Sequence, residues 1–180
     1  MARQPEGGAG RGAQRPAAEA AGAAAGQGAR PPHRFALRVY YEDTDLAGIV
    51  YYANYLRFIE RARTEWVRAA GVDQTALREG QGIVFAVRRI EADYLAPARF
   101  DDLLEVRTAP VAATGARIVL AQDIWRGSTR LFAAVVTLVA LAGSRPARLP
   151  GDLRRRLAGP GGSGLHRDED LGAGGAGEGG

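Results

Sequence analysis

The spacing of apolar residues changes twice along the chain and predicts three regions. Residues 34–41 alternate between apolar and polar side chains, which places Phe35, Leu37 and Val39 on one face of a first β-strand. From residue 53 the apolar positions recur every three or four residues, as in an amphipathic helix. After Gly82 the pattern of a β-strand returns. The predicted order is therefore one strand, one long helix and a run of strands.

The predicted helix is about seventeen residues long and carries a single apolar stripe. Arginine, glutamate and threonine side chains occupy the rest of its surface. Gly71 is a suitable left-handed residue to end it. A short helical turn is expected over residues 73–80, with Asp73 as its N-cap. The stripe consists of Tyr55, Ile59, Ala62, Trp66 and Ala69.

The part of the chain after Gly82 is predicted to form four long strands joined by short turns. Pro110 indicates a bulge or an edge position, and the Gly127-Ser128 pair indicates a tight hairpin. The last strand is apolar on both faces, which is typical of a strand covered on two sides. An α+β fold follows, with a long antiparallel sheet around one helix and a second surface buried by oligomerisation. The four strands are expected at residues 83–95, 103–114, 116–126 and 131–141.

The two ends of the chain differ in composition from its middle. Residues 1–32 are rich in Ala, Gly and Arg, and residues 150–180 are rich in Gly. Neither end can bury enough apolar surface to offset the entropy of ordering it, so both are predicted to be disordered. The folded domain is expected at residues 33–149, a size that suits a single core. Whether the first 32 residues are a true part of the protein stays open.

The positive charge of the chain belongs to its ends. The net charge is +4, with thirteen arginines and thirteen acidic residues between residues 35 and 143. Residues 1–34 contribute +3, from five arginines and two acids, and residues 144–180 contribute +1, from six arginines and five acids. The central domain is therefore neutral and has no electrostatic footprint for nucleic acid.

Several kinds of chemistry are excluded by residue type. There is no cysteine, which excludes disulfides and thiolate nucleophiles, and the only histidines are His33 and His166. A histidine-based zinc site or a Ser-His-Asp triad is therefore not expected, and neither is a cofactor. No apolar run is long enough to span a bilayer, and residues 17–29 lack the apolar core of a signal peptide. The expectation is a cytoplasmic protein.

An acidic segment in front of the long helix is the candidate reaction site. Glu42, Asp43 and Asp45 precede Gly48 and the helix. A carboxylate beside a helix N-terminus can act as a base or nucleophile while free backbone N–H groups polarise a carbonyl. The alternative for Asp45 is an ordinary turn aspartate that binds local N–H groups. Glu42 and Asp43 are expected to be structural, one facing solvent and one bonding the turn.

Two motifs around this segment, and a third further on, resemble a known family. Residues 40–56 read Tyr-Tyr-Glu-Asp-Thr-Asp-x-x-Gly-x-Val-Tyr-Tyr-Ala-Asn-Tyr-Leu, and residues 58–66 read Phe-x-Glu-Arg-Ala-Arg-Thr-Glu-Trp. Residues 94–102 read Tyr-Leu-Ala-Pro-Ala-Arg-Phe-Asp-Asp. Together these resemble the YbgC-like branch of the hotdog-fold acyl-CoA thioesterases, which is related to 4-hydroxybenzoyl-CoA thioesterase. The resemblance covers roughly residues 35–149.

The resemblance implies a hotdog fold, a homodimer or homotetramer, and hydrolysis of an acyl-CoA thioester without a metal ion. The catalytic carboxylate would be Asp45, and the backbone N–H that polarises the thioester carbonyl would be that of Tyr52. Gly48, Tyr51 and Tyr52 would line the substrate site. Many members of the family have histidine where this chain has Tyr52; a backbone donor tolerates that change, but proton transfer by an imidazole would be missing.

The sequence leaves other interpretations open. One is a non-catalytic hotdog module that binds an acyl chain or an acyl carrier protein. A hotdog dehydratase or hydratase is disfavoured, because no histidine lies between residues 34 and 165. The acyl preference, the choice between dimer and tetramer, and the choice between nucleophile and general base are not decided. Arg88, Arg89 and Arg99 are candidates for the coenzyme A phosphates, among many arginines.

Overall fold

The computed structural model describes residues 31–158. A 3₁₀ turn at Tyr41–Asp43 follows the first strand. The α-helices are α1 (Asn54–Ala69), α2 (Gln74–Gln81) and α3 (Gly151–Ala158). The β-strands are β1 (His33–Arg38), β2 (Ile83–Tyr94), β3 (Leu103–Ala113), β4 (Arg117–Arg126), β5 (Thr129–Ala142) and β6 (Arg145–Pro146).

The strands form one antiparallel sheet in the order β1-β3-β4-β5-β2, with the short β6 paired to β5. Sequential hairpins join β3, β4 and β5, and the β4–β5 turn passes through Gly127, whose φ is +58°. Pro110 lies at a register shift between β3 and β4, so the predicted bulge is present. The twelve-residue strand β2 forms one edge of the sheet. This is the α+β hotdog architecture expected from the sequence.

Helix α1 buries its apolar side against the sheet. Four residues of the predicted stripe are buried, whereas Ala69, the last residue of the helix, is exposed. Phe58 and Val67 complete the buried face and were not part of the prediction. A side chain such as Phe58, which is fully buried, stabilises the fold by roughly 1.5–3 kcal/mol relative to an exposed one. The sheet therefore holds α1, and with it the segment in front of α1, in a fixed position.

A buried amide joins α1 to the middle of the sheet. Gln122 on β4 is fully buried, and its Nε2 donates to the carbonyl oxygen of Ile59 (2.9 Å) and to Oγ1 of Thr108 (3.0 Å). Its Oε1 accepts from Nη1 of Arg63 at 2.9 Å. Because every polar atom of the amide has a partner, its burial carries little desolvation penalty. This joint fixes the register of the helix over the sheet.

Strand β5 lies between β4 and β2, so the predicted central position of the last long strand is confirmed. Leu131 to Ala134 are all buried, and beyond them buried and half-buried residues alternate. Val135 and Val139 are only half-buried, so they leave an apolar surface on the face away from α1. Whether a second copy covers it stays a prediction.

The ends of the folded region bring one correction. Residues 150–180 were predicted to be disordered, but Gly151–Ala158 form α3, and Leu153 and Leu157 are buried. These two leucines lie four residues apart on one side of the helix. The prediction rested on the glycine content of the whole tail and did not consider this local spacing. Residues 1–30 and 159–180 lie outside the described residues. In the described part of the chain, no helix is long and apolar enough to cross a membrane.

Candidate active site

The acidic segment forms a compact loop that Thr44 and Val50 close by a β-bridge. Within it, the N–H of Asp45 donates to the carbonyl of Ile49 (2.9 Å), and the N–H of Gly48 donates to the carbonyl of Asp45 (2.9 Å). Gly48 has φ of +72°, a conformation that residues with a Cβ rarely adopt. The turn therefore favours glycine for its backbone, in agreement with the Asp-x-x-Gly spacing.

The carboxylate of Asp45 is held at the tip of this loop and remains open to solvent. Its Oδ1 accepts the N–H of Ala47 at 2.9 Å, which is the turn bond that aspartate commonly makes. In the described residues Oδ2 has no hydrogen-bond partner. Asp45 thus fulfils the turn role and still presents one carboxylate oxygen for chemistry.

Asp43 and Asn54 join the loop to the start of α1. The carbonyl oxygen of Asp43 accepts both the N–H of Tyr51 and Nδ2 of Asn54, each at 2.9 Å. The carboxylate of Asp43 accepts the N–H of Tyr40 at 2.9 Å, and both Asp43 and Asn54 are buried. The structural role expected for Asp43 is confirmed, and Glu42 faces solvent as expected. The joint sets the position of Asp45 relative to the helix N-terminus.

The helix N-terminus offers backbone donors that the protein itself leaves unused. The N–H of Asn54 donates to the carbonyl of Tyr51 at 2.8 Å, and that of Leu56 donates to Ala53 at 3.2 Å. The N–H groups of Tyr52 and Ala53 have no acceptor among the residues from 31 to 158. Free N–H groups at this end carry the positive pole of the helix dipole and favour negative charge.

Aromatic side chains surround these donors. Tyr51 and Tyr52 are exposed, with ring centroids 4.7 Å apart. The hydroxyl of Tyr94 donates to the carbonyl oxygen of Tyr52 at 3.1 Å. Burial raises the pKa of Tyr94, and the nearby phenols of Tyr52 and Tyr55 add to this shift, so the hydroxyl stays protonated at neutral pH.

The connection between β2 and β3 packs directly on the acidic loop. The carbonyl of Ala98 accepts the N–H of Val50 at 2.9 Å, and the N–H of Ala98 donates to the hydroxyl of Tyr55 at 2.9 Å. Asp102 in the same connection pairs with Arg126 at 2.6 Å. Two segments that are about forty residues apart in sequence, both part of the family resemblance, thus meet at one place in the structure.

Several apolar and aromatic side chains on and around the acidic loop are exposed. Leu46 beside Asp45 is fully exposed, and Tyr41 is 82% exposed. Exposed apolar clusters of this kind mark a surface that binds a ligand or another protein chain. The exposed members are Tyr41, Leu46, Tyr51, Tyr52, Leu56, Tyr94, Leu95 and Phe100.

The residues proposed from the sequence thus lie in one region. Asp45 and Gly48 share the loop, and Tyr51 and Tyr52 connect it to α1; their chemical roles stay a prediction. Sequence reasoning gave no role to Asn54 or Tyr94, although both lie within the quoted motifs. In the described part of the chain, no group of three His, Cys, Asp or Glu side chains could hold a metal ion. Of the candidate phosphate ligands, Arg89 pairs with Glu91.

An antiparallel sheet packed around one central helix defines a hotdog-fold protein. Residues 47–133 match the model of the thioesterase superfamily. The acyl-CoA thioesterase YbgC of Haemophilus influenzae is 41% identical over 122 residues, which are 67% of this chain and 90% of that protein. The chain belongs to the thioesterase superfamily.

Solved structures agree with this assignment. The probable thioesterase of Bartonella henselae is 38% identical, with a TM-score of 0.64 over 66% of this chain and 99% of that chain. A 4-hydroxybenzoyl CoA thioesterase, solved as an aspartate-to-asparagine mutant complexed with 4-hydroxybenzoyl CoA, superposes with a TM-score of 0.68. It is 20% identical and covers 71% of this chain and 99% of that chain, so it supports the fold alone.

Proposed function

We propose that the protein hydrolyses acyl-CoA thioesters to a free acid and coenzyme A, with Asp45 as the reacting carboxylate. The observation that carries the proposal is the joint at Asp43 and Asn54. It joins the loop that carries Asp45 to the start of α1, where the N–H groups of Tyr52 and Ala53 have no acceptor among residues 31–158. The 41% identity to an acyl-CoA thioesterase over most of that relative supports the substrate class.

Asp45 can act by two routes. As a nucleophile, one carboxylate oxygen adds to the thioester carbon, the carbon–sulfur bond breaks, and water then hydrolyses the mixed anhydride. As a general base, the carboxylate removes a proton from water, and the water oxygen adds to the same carbon. Both routes release the coenzyme A thiol and use the carboxylate oxygen that the Ala47 N–H leaves free.

The N–H of Tyr52 is the proposed donor to the thioester carbonyl. Negative charge develops on this oxygen as the carbon becomes tetrahedral, and a fixed N–H with no competing acceptor can stabilise it. The helix dipole of α1 acts in the same direction. Because the donor belongs to the backbone, a tyrosine side chain at position 52 is compatible with this role.

The exposed surroundings of Asp45 support a site completed by a second copy of the chain. Hydrolysis benefits when the reacting groups are shielded from bulk water, yet Leu46 and Tyr52 are exposed in one protomer. The edge strand β2 also offers twelve residues for pairing, and unpaired edges of this length are usually covered. A homodimer or homotetramer would cover both features.

Thiol release from a panel of acyl-CoA substrates tests the proposal. The panel contains short aliphatic, long aliphatic and aromatic acyl groups, and wild type is compared with Asp45→Asn. Turnover of at least one substrate that collapses in the variant is expected, and the panel identifies the acyl preference. Glu42→Gln is the matched control, because Glu42 lies in the same segment but faces solvent.

Two results would contradict the proposal. Equal turnover by wild type and Asp45→Asn would remove the carboxylate from the mechanism. No turnover of any acyl-CoA by a folded oligomer would favour the non-catalytic acyl-binding module. The same assay with acyl-carrier-protein thioesters then separates that module from an enzyme with a different carrier.

A further inference from the structure

Tyr94 reaches the helix N-terminus from outside the acidic loop. It is the last residue of β2, and its hydroxyl donates to the carbonyl oxygen of Tyr52 at 3.1 Å. The residue is half exposed, so the bond lies at the surface where a substrate would arrive. Tyr94 therefore contacts the backbone of Tyr52, the proposed donor residue, although it lies on a different segment of the chain.

The ring of Tyr94 is held in place by aromatic neighbours. Its centroid lies 5.5 Å from that of Tyr55 and 5.1 Å from that of Phe132, both in edge-to-face arrangements. Tyr55 and Phe132 are themselves buried and stacked at 5.3 Å. Edge-to-face contacts of this kind restrict the ring to one orientation. The direction of the hydroxyl is therefore set by the core and not by the flexible surface.

The bond to Tyr52 acts on a particular peptide unit. The carbonyl of Tyr52 shares its peptide with the N–H of Ala53, and the carbonyl of Tyr51 shares its peptide with the N–H of Tyr52. Both carbonyls accept a hydrogen bond, from Tyr94 and from the N–H of Asn54 respectively. A bond accepted by a carbonyl polarises its amide and strengthens the N–H as a donor.

We propose that Tyr94 is a positioning residue for thioester hydrolysis. Its hydroxyl fixes and polarises the Tyr52–Ala53 peptide, so that the N–H of Ala53 joins that of Tyr52 in binding the developing oxyanion. Both N–H groups lack an acceptor in the described part of the protein, as a two-donor oxyanion site requires. This inference rests on the function proposed above for Asp45 and Tyr52.

Tyr94→Phe tests this role, because phenylalanine keeps the ring contacts and removes only the hydroxyl. A fall in kcat of about three- to tenfold is expected, as for one lost hydrogen bond that acts in the transition state, with KM unchanged. The thermal midpoint should stay within about 2 °C of wild type, since the aromatic packing is retained. Steady-state kinetics and thermal unfolding of the full chain provide these values.

Ser144→Ala is the control. It also removes a single hydroxyl, from an exposed residue in the β5–β6 turn at the opposite end of β2 from Tyr94, and its kcat should equal that of wild type. A Tyr94→Phe enzyme with wild-type kcat would overturn the proposal, and so would a change confined to KM. A loss of kcat matched by loss of folded protein would also overturn it.

Asp45→Asn in the same assay separates the two levels of inference. If Asp45→Asn abolishes turnover and Tyr94→Phe does not change kcat, only the positioning role is wrong. If Asp45→Asn retains full turnover, the proposed mechanism is wrong, and the role of Tyr94 in it is overturned as well.

Discussion

The N-terminus and the middle of α1 differ in whether their polar groups are hydrogen-bonded within the protein. In the middle, the amide of Gln122 is fully buried, and each of its polar atoms has a partner on the helix or the sheet. At the N-terminus, the N–H groups of Tyr52 and Ala53 lack an acceptor among residues 31–158, and Asp45 in the preceding loop is exposed. The polar groups at the middle of α1 are thus hydrogen-bonded, whereas two backbone N–H groups about two turns earlier are not.

This difference separates stability from reactivity. A buried polar group that has all its hydrogen bonds contributes to a unique packing and has no capacity left for a ligand. Unused donors next to a carboxylate contribute little to folding but are ready to bind developing charge. Substitutions at the N-terminus should therefore change turnover, and substitutions at Gln122 should change stability.

The largest expected effect is the loss of turnover in Asp45→Asn. The amide retains an oxygen that can accept the Ala47 N–H, so the loop should persist, but the charge needed for base or nucleophile is removed. A fall in kcat of at least about 100-fold is expected, while the midpoint of thermal unfolding stays near that of wild type. A parallel fall in turnover and in the unfolding midpoint would contradict a purely chemical role for Asp45.

Gln122→Leu should give the opposite result. The side chain keeps a similar volume, but Arg63 and Thr108 lose their partner inside the fold. A destabilisation of about 1–3 kcal/mol is expected from urea unfolding, with kcat per folded enzyme retained. Gln81→Leu is the control, because Gln81 is exposed at the end of α2. A stability equal to wild type for Gln122→Leu would show that the joint is dispensable.

Gly48→Ala should produce a smaller change, in both stability and turnover. No atom lies within 4 Å of an added Cβ, so the effect comes only from the φ of +72°. A methyl group in this conformation costs roughly 1 kcal/mol, and relaxation of the loop would displace Asp45 and lower kcat. Gly80→Ala in α2 is the control, because its surroundings are equally open without a positive φ, and it should be neutral or slightly stabilising. Equal behaviour of the two variants would argue against a conformational requirement at Gly48.

Much of the fold was readable from periodicity. The alternation of β4 and four of the five stripe positions of α1 were correct, because each element has one buried face, which imposes its period on the sequence. The Asp73 cap of α2 was also correct, and its Oδ1 accepts the N–H groups of Thr75 and Ala76. Helix α3 was missed because only two leucines mark its buried side within a glycine-rich region.

The candidate site was readable only in part. The loop spacing and the family resemblance indicated Asp45 and Tyr52, and the structure brings them to one helix end. The contacts of Tyr94 and Asn54 could not be predicted, because they depend on where the end of β2 and the carbonyl of Asp43 lie in space. Local periodicity contains no information about such contacts between distant segments.

The smallest expected effect concerns paired charges at the surface of the sheet. Hydrogen bonding to Arg107, and then to Arg34, lowers the pKa of Glu105. A carboxylate with a lowered folded-state pKa stabilises the protein above its unfolded-state pKa, and this stabilisation is lost as the pH falls through the folded-state value. Glu105→Gln should therefore reduce the free energy of unfolding by about a few tenths of a kcal/mol at pH 7, as for exposed ion pairs.

The difference between wild type and Glu105→Gln should then disappear on acidification to below the usual pKa range of glutamate. Urea unfolding at a series of pH values measures it, with Glu79→Gln as the control, since Glu79 is exposed on α2 and has no ion pair among the described residues. A difference that persists or grows at low pH would assign the effect to packing and not to charge. Glu105, like Gln122, has hydrogen-bond partners within the fold and lies outside the proposed site. At each pH, turnover per folded enzyme in Glu105→Gln should therefore equal that of wild type.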